Sequence, residues 1–83
     1  ACSIPTLMAG ENLMEASAGI DTNLYREPIC VFAGIVPFNF PAMIPMGWMA
    51  PLCVASGNTM VIKAASMTPM TCMEITKLKQ EAG

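Results

Sequence analysis

ICVFAGIVPFNFP, residues 29–41, decides how the rest of the chain reads. Its first eight residues are apolar without a break and rich in β-branched side chains. Such a run suits a strand covered on both faces, as in a parallel sheet. Pro37 ends it, because proline brings no N–H to a ladder. The continuation, Pro37-Phe38-Asn39-Phe40-Pro41, sets one amide side chain between two aromatics and two prolines.

Working outward towards the C-terminus, residues 41–56 read as a helix opening on proline, which the first turn tolerates. Pro45 lies close enough to that start to be accepted, and Pro51 is expected to kink the helix. Trp48, Met49, Leu52 and Val54 make it apolar on most sides, so it should be sandwiched between layers. Gly57-Asn58 is its stop. Residues 59–62 form a second short buried strand, with Lys63 at its C-terminal end. Residues 64–68 are a loop, and Thr68-Pro69 is a cap and first-turn pair. Residues 69–82 are a second helix. Cys72, Ile75, Leu78 and Ala82 lie near one face, with Glu74, Lys77 and Glu81 outside.

The order strand, helix, strand, helix predicts an α/β fold with parallel strands joined by a crossover. Ligands of open α/β sheets bind beyond the carboxyl ends of the strands. Asn39 and Lys63 each follow such an end, so they are expected in one crevice. In the other direction, residues 24–28 read as an edge strand ending at Pro28. Residues 11–23 read as loop with weak strand, and residues 1–9 as the end of a helix closed by Gly10.

Composition sets the frame. The 83 residues are 54% hydrophobic and only 12% charged, where about 25% charged is usual. That is a core without its polar cover, and it implies a piece of a larger fold or a membrane segment. The uncharged run between Glu27 and Lys63 is long enough to span a bilayer. Pro28, Pro37, Pro41, Pro45 and Pro51 interrupt it and argue against a spanning helix. Four scattered basic residues and a net charge of −2 give no nucleic-acid footprint. The absence of histidine removes the usual general base and most zinc sites. Cys2, Cys30, Cys53 and Cys72 form no C-x-x-C pair. They read as small buried hydrophobes in a reducing compartment, with two disulfides in a secreted domain as the alternative. The nine methionines read as core filler. The opening, Ala1 to Pro5, has no starting methionine and reads as the middle of a longer chain.

Two residues could carry chemistry. A buried amide donor at Asn39 could stabilise negative charge developing on a carbonyl oxygen; equally, it could cap the following helix or satisfy a turn. Lys63 could reach ribose hydroxyls or phosphate, or it could be a surface lysine laying its stem on apolar neighbours. Neither the G-x-G-x-x-G fingerprint nor a P-loop is present, so a nucleotide site here would be of an unusual kind.

Pro37-Phe38-Asn39-Phe40-Pro41 resembles the P-[WF]-N-F-P element of the aldehyde dehydrogenase superfamily. Gly57-Asn58-Thr59 with Lys63 resembles its G-N-T-x-x-x-K-P element, at the right separation to within a residue. Within the superfamily, residues 1–7, the 24–28 segment, Phe38, and Phe40 to Pro45 are similar to the CoA-acylating methylmalonate-semialdehyde dehydrogenases. The resemblance implies a Rossmann-like NAD-binding domain. Residues 1–10 would be the end of a helix, 11–28 oligomerisation-type strands and loop, and 29–83 the first β-α-β-α of that domain. It implies NAD-dependent oxidation of malonate or methylmalonate semialdehyde, with transfer of the acyl group to CoA and loss of carbon dioxide. On this resemblance Asn39 is the oxyanion donor, Lys63 binds the adenosine ribose of NAD, and the backbone at Val36 and Phe38 lines the cofactor site. A homo-oligomer is implied, in the mitochondrial matrix of a eukaryote or the cytoplasm of a bacterium.

The chain also departs from the family pattern. Ala64-Ala65-Ser66 stands where Pro-Ser-Glu or Pro-Ala-Glu is usual, and Met67 where the subfamily has arginine. One residue is inserted near Gly47, within the first helix. None of the four cysteines matches the family's nucleophile motif, which is expected beyond Gly83. The 83 residues alone are therefore expected to be inactive and marginally stable. The alternative is a truncated product that only associates with full-length subunits.

Overall fold

The computed structural model describes residues 2–83. A single helical turn, α1 (Ile4–Leu7), precedes an antiparallel hairpin of β1 (Glu11–Ser17) and β2 (Ile20–Leu24). Then come β3 (Val31–Ile35), a π-helical segment (Met43–Met49) running directly into α2 (Ala50–Ala55), β4 (Thr59–Lys63) and α3 (Pro69–Ala82). Strands β3 and β4 pair in parallel, from Val31 opposite Thr59 to Ile35 opposite Lys63. The β-α-β-α order predicted for 29–83 is present, and the fold is α/β.

The join between α2 and β4 is built from named hydrogen bonds. Gly57 adopts φ +79°, a left-handed conformation that costs glycine no steric penalty. Its N–H donates to the carbonyl of Val54 at 2.9 Å, and the N–H of Asn58 donates to that of Cys53 at 3.0 Å. This paired closure satisfies carbonyls that the helix end leaves without partners. The Ser56 hydroxyl lies within hydrogen-bond reach of the Leu52 and Cys53 carbonyls as well. Gly57-Asn58 therefore stops the helix as the sequence predicts.

Other expectations are corrected. Residues 11–23 are not loop with weak strand but most of a hairpin, closed by Ala18-Gly19 between the paired Ser17 and Ile20. A bulge between Leu13 and Ser17 breaks its alternation. There Glu15 takes φ +51° and its N–H donates to Asp21 Oδ1 at 2.8 Å. Residues 25–28 are not an edge strand; β2 ends at Leu24. Gly10 is not the stop of α1, whose cap is Met8. Gly10 is instead a point of close approach: a Cβ there would lie 2.0 Å from the Leu24 carbonyl oxygen.

The first long helix starts two residues later than predicted, at Met43, and its first two turns are π-helical. A π turn accommodates one more residue per turn than an α turn. It lies where the sequence analysis places an inserted residue, near Gly47. The N–H of Ala50 accordingly donates to Pro45, five residues back.

The buried positions among the described residues are few: Ile4, Gly34, Val36, Pro45, Ala50, Cys53, Asn58, Ala65 and Cys72. Strand β3 is not covered on both faces. Val31, Phe32 and Ile35 are exposed, and so are Trp48, Leu52 and Val54 of the helix expected to be sandwiched. The reason is geometric, since a two-stranded sheet with a helix pair has no second layer to cover its far side. The chain exposes 6401 Å², against roughly 4,800 Å² for a folded monomer of this mass. Its Cα radius of gyration is 17.6 Å, where about 12 Å is usual for this length. No helix among the described residues is long and apolar enough to cross a membrane.

Of the cysteines, Cys53 and Cys72 are buried, as a hydrophobe reading requires. Cys2 and Cys30 are exposed, which corrects that reading for these two. All four are free thiols.

Candidate active site

The site is assembled from the carboxyl ends of β3 and β4. Its register begins at the other end of the pair, in the Gly57-Asn58-Thr59 element. Asn58 is buried, and its side-chain carbonyl accepts the N–H of Cys30 at 3.0 Å. Its Nδ2 donates to the Ser56 carbonyl and hydroxyl at 3.2 and 2.9 Å. The Cys30 carbonyl then accepts both the N–H and the hydroxyl of Thr59, at 2.8 and 3.2 Å. Cys30 takes φ +101°, a conformation that persists only where surrounding bonds over-determine it. These bonds do so, and they fix which residue of β4 faces which residue of β3.

With the start of the ladder locked, its far end follows. Lys63 is opposite Ile35, and the Lys63 carbonyl accepts the N–H of Val36 at 3.3 Å. Val36 is buried, so the chain leaves the sheet from a fixed point. Phe38, Asn39 and Phe40 then form an exposed bend between Pro37 and Pro41. The parallel pairing therefore brings Val36, the Phe38-Asn39 bend and Lys63 to one end of the sheet, but Asn39 is exposed and not the buried donor that was expected.

Asn39 does not cap the following helix. The residue at the π-helix N-cap is Ala42, with no side-chain cap bond. The exposed Asn39 amide keeps its donors available for a ligand. Lys63 is exposed, and its Nζ donates to Ser66 Oγ at 3.3 Å. An ammonium has three donors, so two remain for ribose hydroxyls or phosphate oxygens. Ser66 thus holds the lysine through a neutral bond, and among the described residues no carboxylate pairs with its charge.

One participant escaped the sequence reading. Thr68 is the N-cap residue of α3 but makes no side-chain cap bond. Its hydroxyl donates to the Phe38 carbonyl at 3.3 Å. The expected cap is thus a tether between α3 and the Asn39 bend. No local pattern distinguishes the two, because the same Thr-Pro pair suits both.

The geometry defines a class: a parallel βαβ unit with an amide and a lysine at the carboxyl ends of neighbouring strands. Comparison with known proteins gives the family. The model of the aldehyde dehydrogenase family matches residues 1–83, and the chain belongs to that family. A Caenorhabditis elegans mitochondrial protein, assigned as an acylating methylmalonate-semialdehyde/malonate-semialdehyde dehydrogenase, is 53% identical over all 83 residues. Malonate-semialdehyde dehydrogenase 2 of Bacillus mycoides is 49% identical over the same span. The chain covers 16% and 17% of these two relatives, about a sixth of their length.

Solved structures agree. Methylmalonate-semialdehyde dehydrogenase of Oceanimonas doudoroffii superposes with a TM-score of 0.92 at 41% identity, covering 99% of this chain and 17% of that one. A Sinorhizobium meliloti protein assigned to the same activity, solved with NAD, superposes at 0.90 with 41% identity, covering 96% of this chain and 16% of that one.

Proposed function

We propose that residues 1–83 work as part of an NAD-dependent, CoA-acylating semialdehyde dehydrogenase, with malonate or methylmalonate semialdehyde as substrate. The observation that carries this reading is the placement of Lys63 at the carboxyl end of β4 and of the exposed Asn39 just beyond that of β3, on paired parallel strands. The 47–53% identity to semialdehyde dehydrogenases supports the substrate class.

In this reading Asn39 donates its amide N–H to the oxyanion that forms when a cysteine thiolate adds to the aldehyde carbon. That cysteine comes from elsewhere in the enzyme; Cys2, Cys30, Cys53 and Cys72 do not supply it. A donor already held at the place where charge develops needs no reorganisation as the reaction proceeds. Lys63 donates to the adenosine ribose of NAD, and the backbone at Val36 and Phe38 lines the cofactor. The residues present fit such a group: an exposed cation with spare donors beside a fixed strand end. NAD, when bound, supplies the hydride acceptor. The acyl group then passes to CoA with loss of carbon dioxide.

The β1–β2 hairpin, exposed along its whole length, is the assembly surface of a homo-oligomer in this reading. The uncovered apolar faces of β3 and α2 pack against the rest of the enzyme. The compartment is the mitochondrial matrix in a eukaryote, the C. elegans relative being mitochondrial, or the cytoplasm in a bacterium. On its own the 83-residue stretch is inactive.

The test uses a full-length dehydrogenase carrying residues 1–83. Asn39→Ala should lower kcat by about 10²–10³ while NAD still binds. Turnover that survives the change would refute the oxyanion role. A second reading, a non-catalytic product that associates with full-length subunits, is favoured by Ala64 to Met67 replacing the usual cofactor contacts. Coding sequence that stops directly after Gly83 would support it; an open frame reaching a cysteine-bearing motif would support the enzyme.

A further inference from the structure

We propose that Thr68 is a positioning residue for Asn39, acting through the carbonyl of Phe38; this rests on the reading of Asn39 as an oxyanion donor. The Phe38 carbonyl and the Asn39 N–H belong to one peptide plane, and peptide planes are rigid. Holding that carbonyl therefore orients the plane from which the Asn39 side chain departs. The Thr68 hydroxyl holds it at 3.3 Å. Among the described residues, no other hydrogen bond joins Pro37, Phe38 or Asn39 to another element.

Packing does not do this work instead. Phe38 is 57% exposed, and Phe40 and Asn39 are exposed too. The two flanking prolines restrict φ at their own positions but leave the peptide between Phe38 and Asn39 free to turn. A tether from a separate, anchored element removes that freedom.

Thr68 sits on such an element. Its N–H donates to the carbonyl of Ala65, which is buried. Helix α3 begins at the next residue and is held by the buried Cys72. At its other end Lys79 Nζ donates to the Met46 carbonyl at 3.4 Å. The threonine has φ −140° and ψ 55° and forgoes capping its own helix, which frees its hydroxyl for the Asn39 bend. In catalysis, donor geometry matters at the scale of tenths of an ångström. A residue that fixes the donor's peptide plane should act on the chemical step, and its effect should vanish when the donor itself is removed.

The experiment is a double-mutant cycle in a full-length dehydrogenase carrying residues 1–83. Thr68→Val removes the donor and keeps the shape. It should lower kcat by roughly three- to tenfold, the scale of one hydrogen bond. Thr68→Ser should restore the rate. In an Asn39→Ala background Thr68→Val should have no further effect, because the group it positions is gone. A full additional loss in that background, or a loss that serine does not rescue, would overturn the proposal. If Thr68→Val does not fold, Thr68→Ala is read against the same criteria. Should Asn39→Ala leave turnover intact, the oxyanion reading itself fails. Should Asn39→Ala abolish turnover while Thr68→Val changes nothing, the positioning role alone fails.

Discussion

The side-chain carbonyl of Asn58 accepts the backbone N–H of Cys30 at 3.0 Å, across 28 residues of sequence. This bond ties the end of α2 to the entry of β3 and so sets the strand register on which Lys63 depends. The same amide donates to both oxygens of Ser56, so no donor or acceptor of Asn58 is left idle in its buried position.

Replacing Asn58 should therefore cost more than an average surface change. Asn58→Ala orphans the Cys30 N–H and removes the clamp on a residue at positive φ. We expect a loss of about 1–3 kcal/mol, read as a lower denaturant midpoint in a full-length dehydrogenase carrying this stretch. Amide exchange at Thr59 should accelerate with it. A midpoint within experimental error of the parent would contradict the clamp.

Gly10 gives a second, separate prediction. A methyl group there meets the Leu24 carbonyl oxygen at 2.0 Å, and a backbone atom in a paired strand has little room to move. Gly10→Ala should force apart the Glu11–Leu24 end of the hairpin, at about 1–3 kcal/mol as for other overpacking changes. The expected signature is local: faster amide exchange in β1 and β2 with β3 and β4 unchanged. Equal protection of the hairpin in both proteins would show that the approach is not tight.

The two strand–helix units at 29–83 were legible in the sequence because long apolar runs and strong stops coincide there. The Ile29–Val36 run has no polar residue to confuse its period, and Gly57-Asn58 carries the turn chemistry that a helix end requires. The hairpin was not legible. Its bulge at Glu15 shifts the alternation, so neither half shows a clean period of two. The Ala18-Gly19 turn is the one local signal that could have revealed it.

The helix was legible in place but not in kind. Pro51 was expected to kink it; instead the π turns before it change the bonding partners. The Met46 carbonyl would pair with residue 50 in an α turn and with residue 51 in a π turn. Ala50 donates to Pro45, and Pro51 has no N–H. The carbonyl left over accepts Lys79 Nζ from α3. A bond spanning 33 residues, which exists only because of a local irregularity, lies beyond what spacing can predict. The Thr68 tether is of the same kind. By contrast the placement of Asn39 and Lys63 beyond neighbouring strand ends followed from strand order, since parallel pairing brings both carboxyl ends to one side; the roles proposed for them came only from the family resemblance.

Cofactor binding at Lys63 and chemistry at Asn39 should be separable by substitution. Lys63 is exposed, its ammonium hydrogen-bonds among the described residues to Ser66 Oγ alone, and it lies outside the chemistry proposed for Asn39. Lys63→Met keeps the length of the stem and removes the charged donor. A hydrogen bond from a charged group contributes about 1.5–3 kcal/mol, so KM for NAD should rise by roughly ten- to a hundredfold. The rate at saturating NAD should change little, because the lost interaction binds ground state and transition state alike. Ser66→Ala should do much less, as it removes only a neutral partner of the lysine. Calorimetric titration of NAD into a full-length dehydrogenase carrying each change gives the binding side, and steady-state kinetics the catalytic side. A Lys63→Met enzyme with parental NAD affinity and reduced kcat would move the lysine out of the cofactor site and into the chemical step.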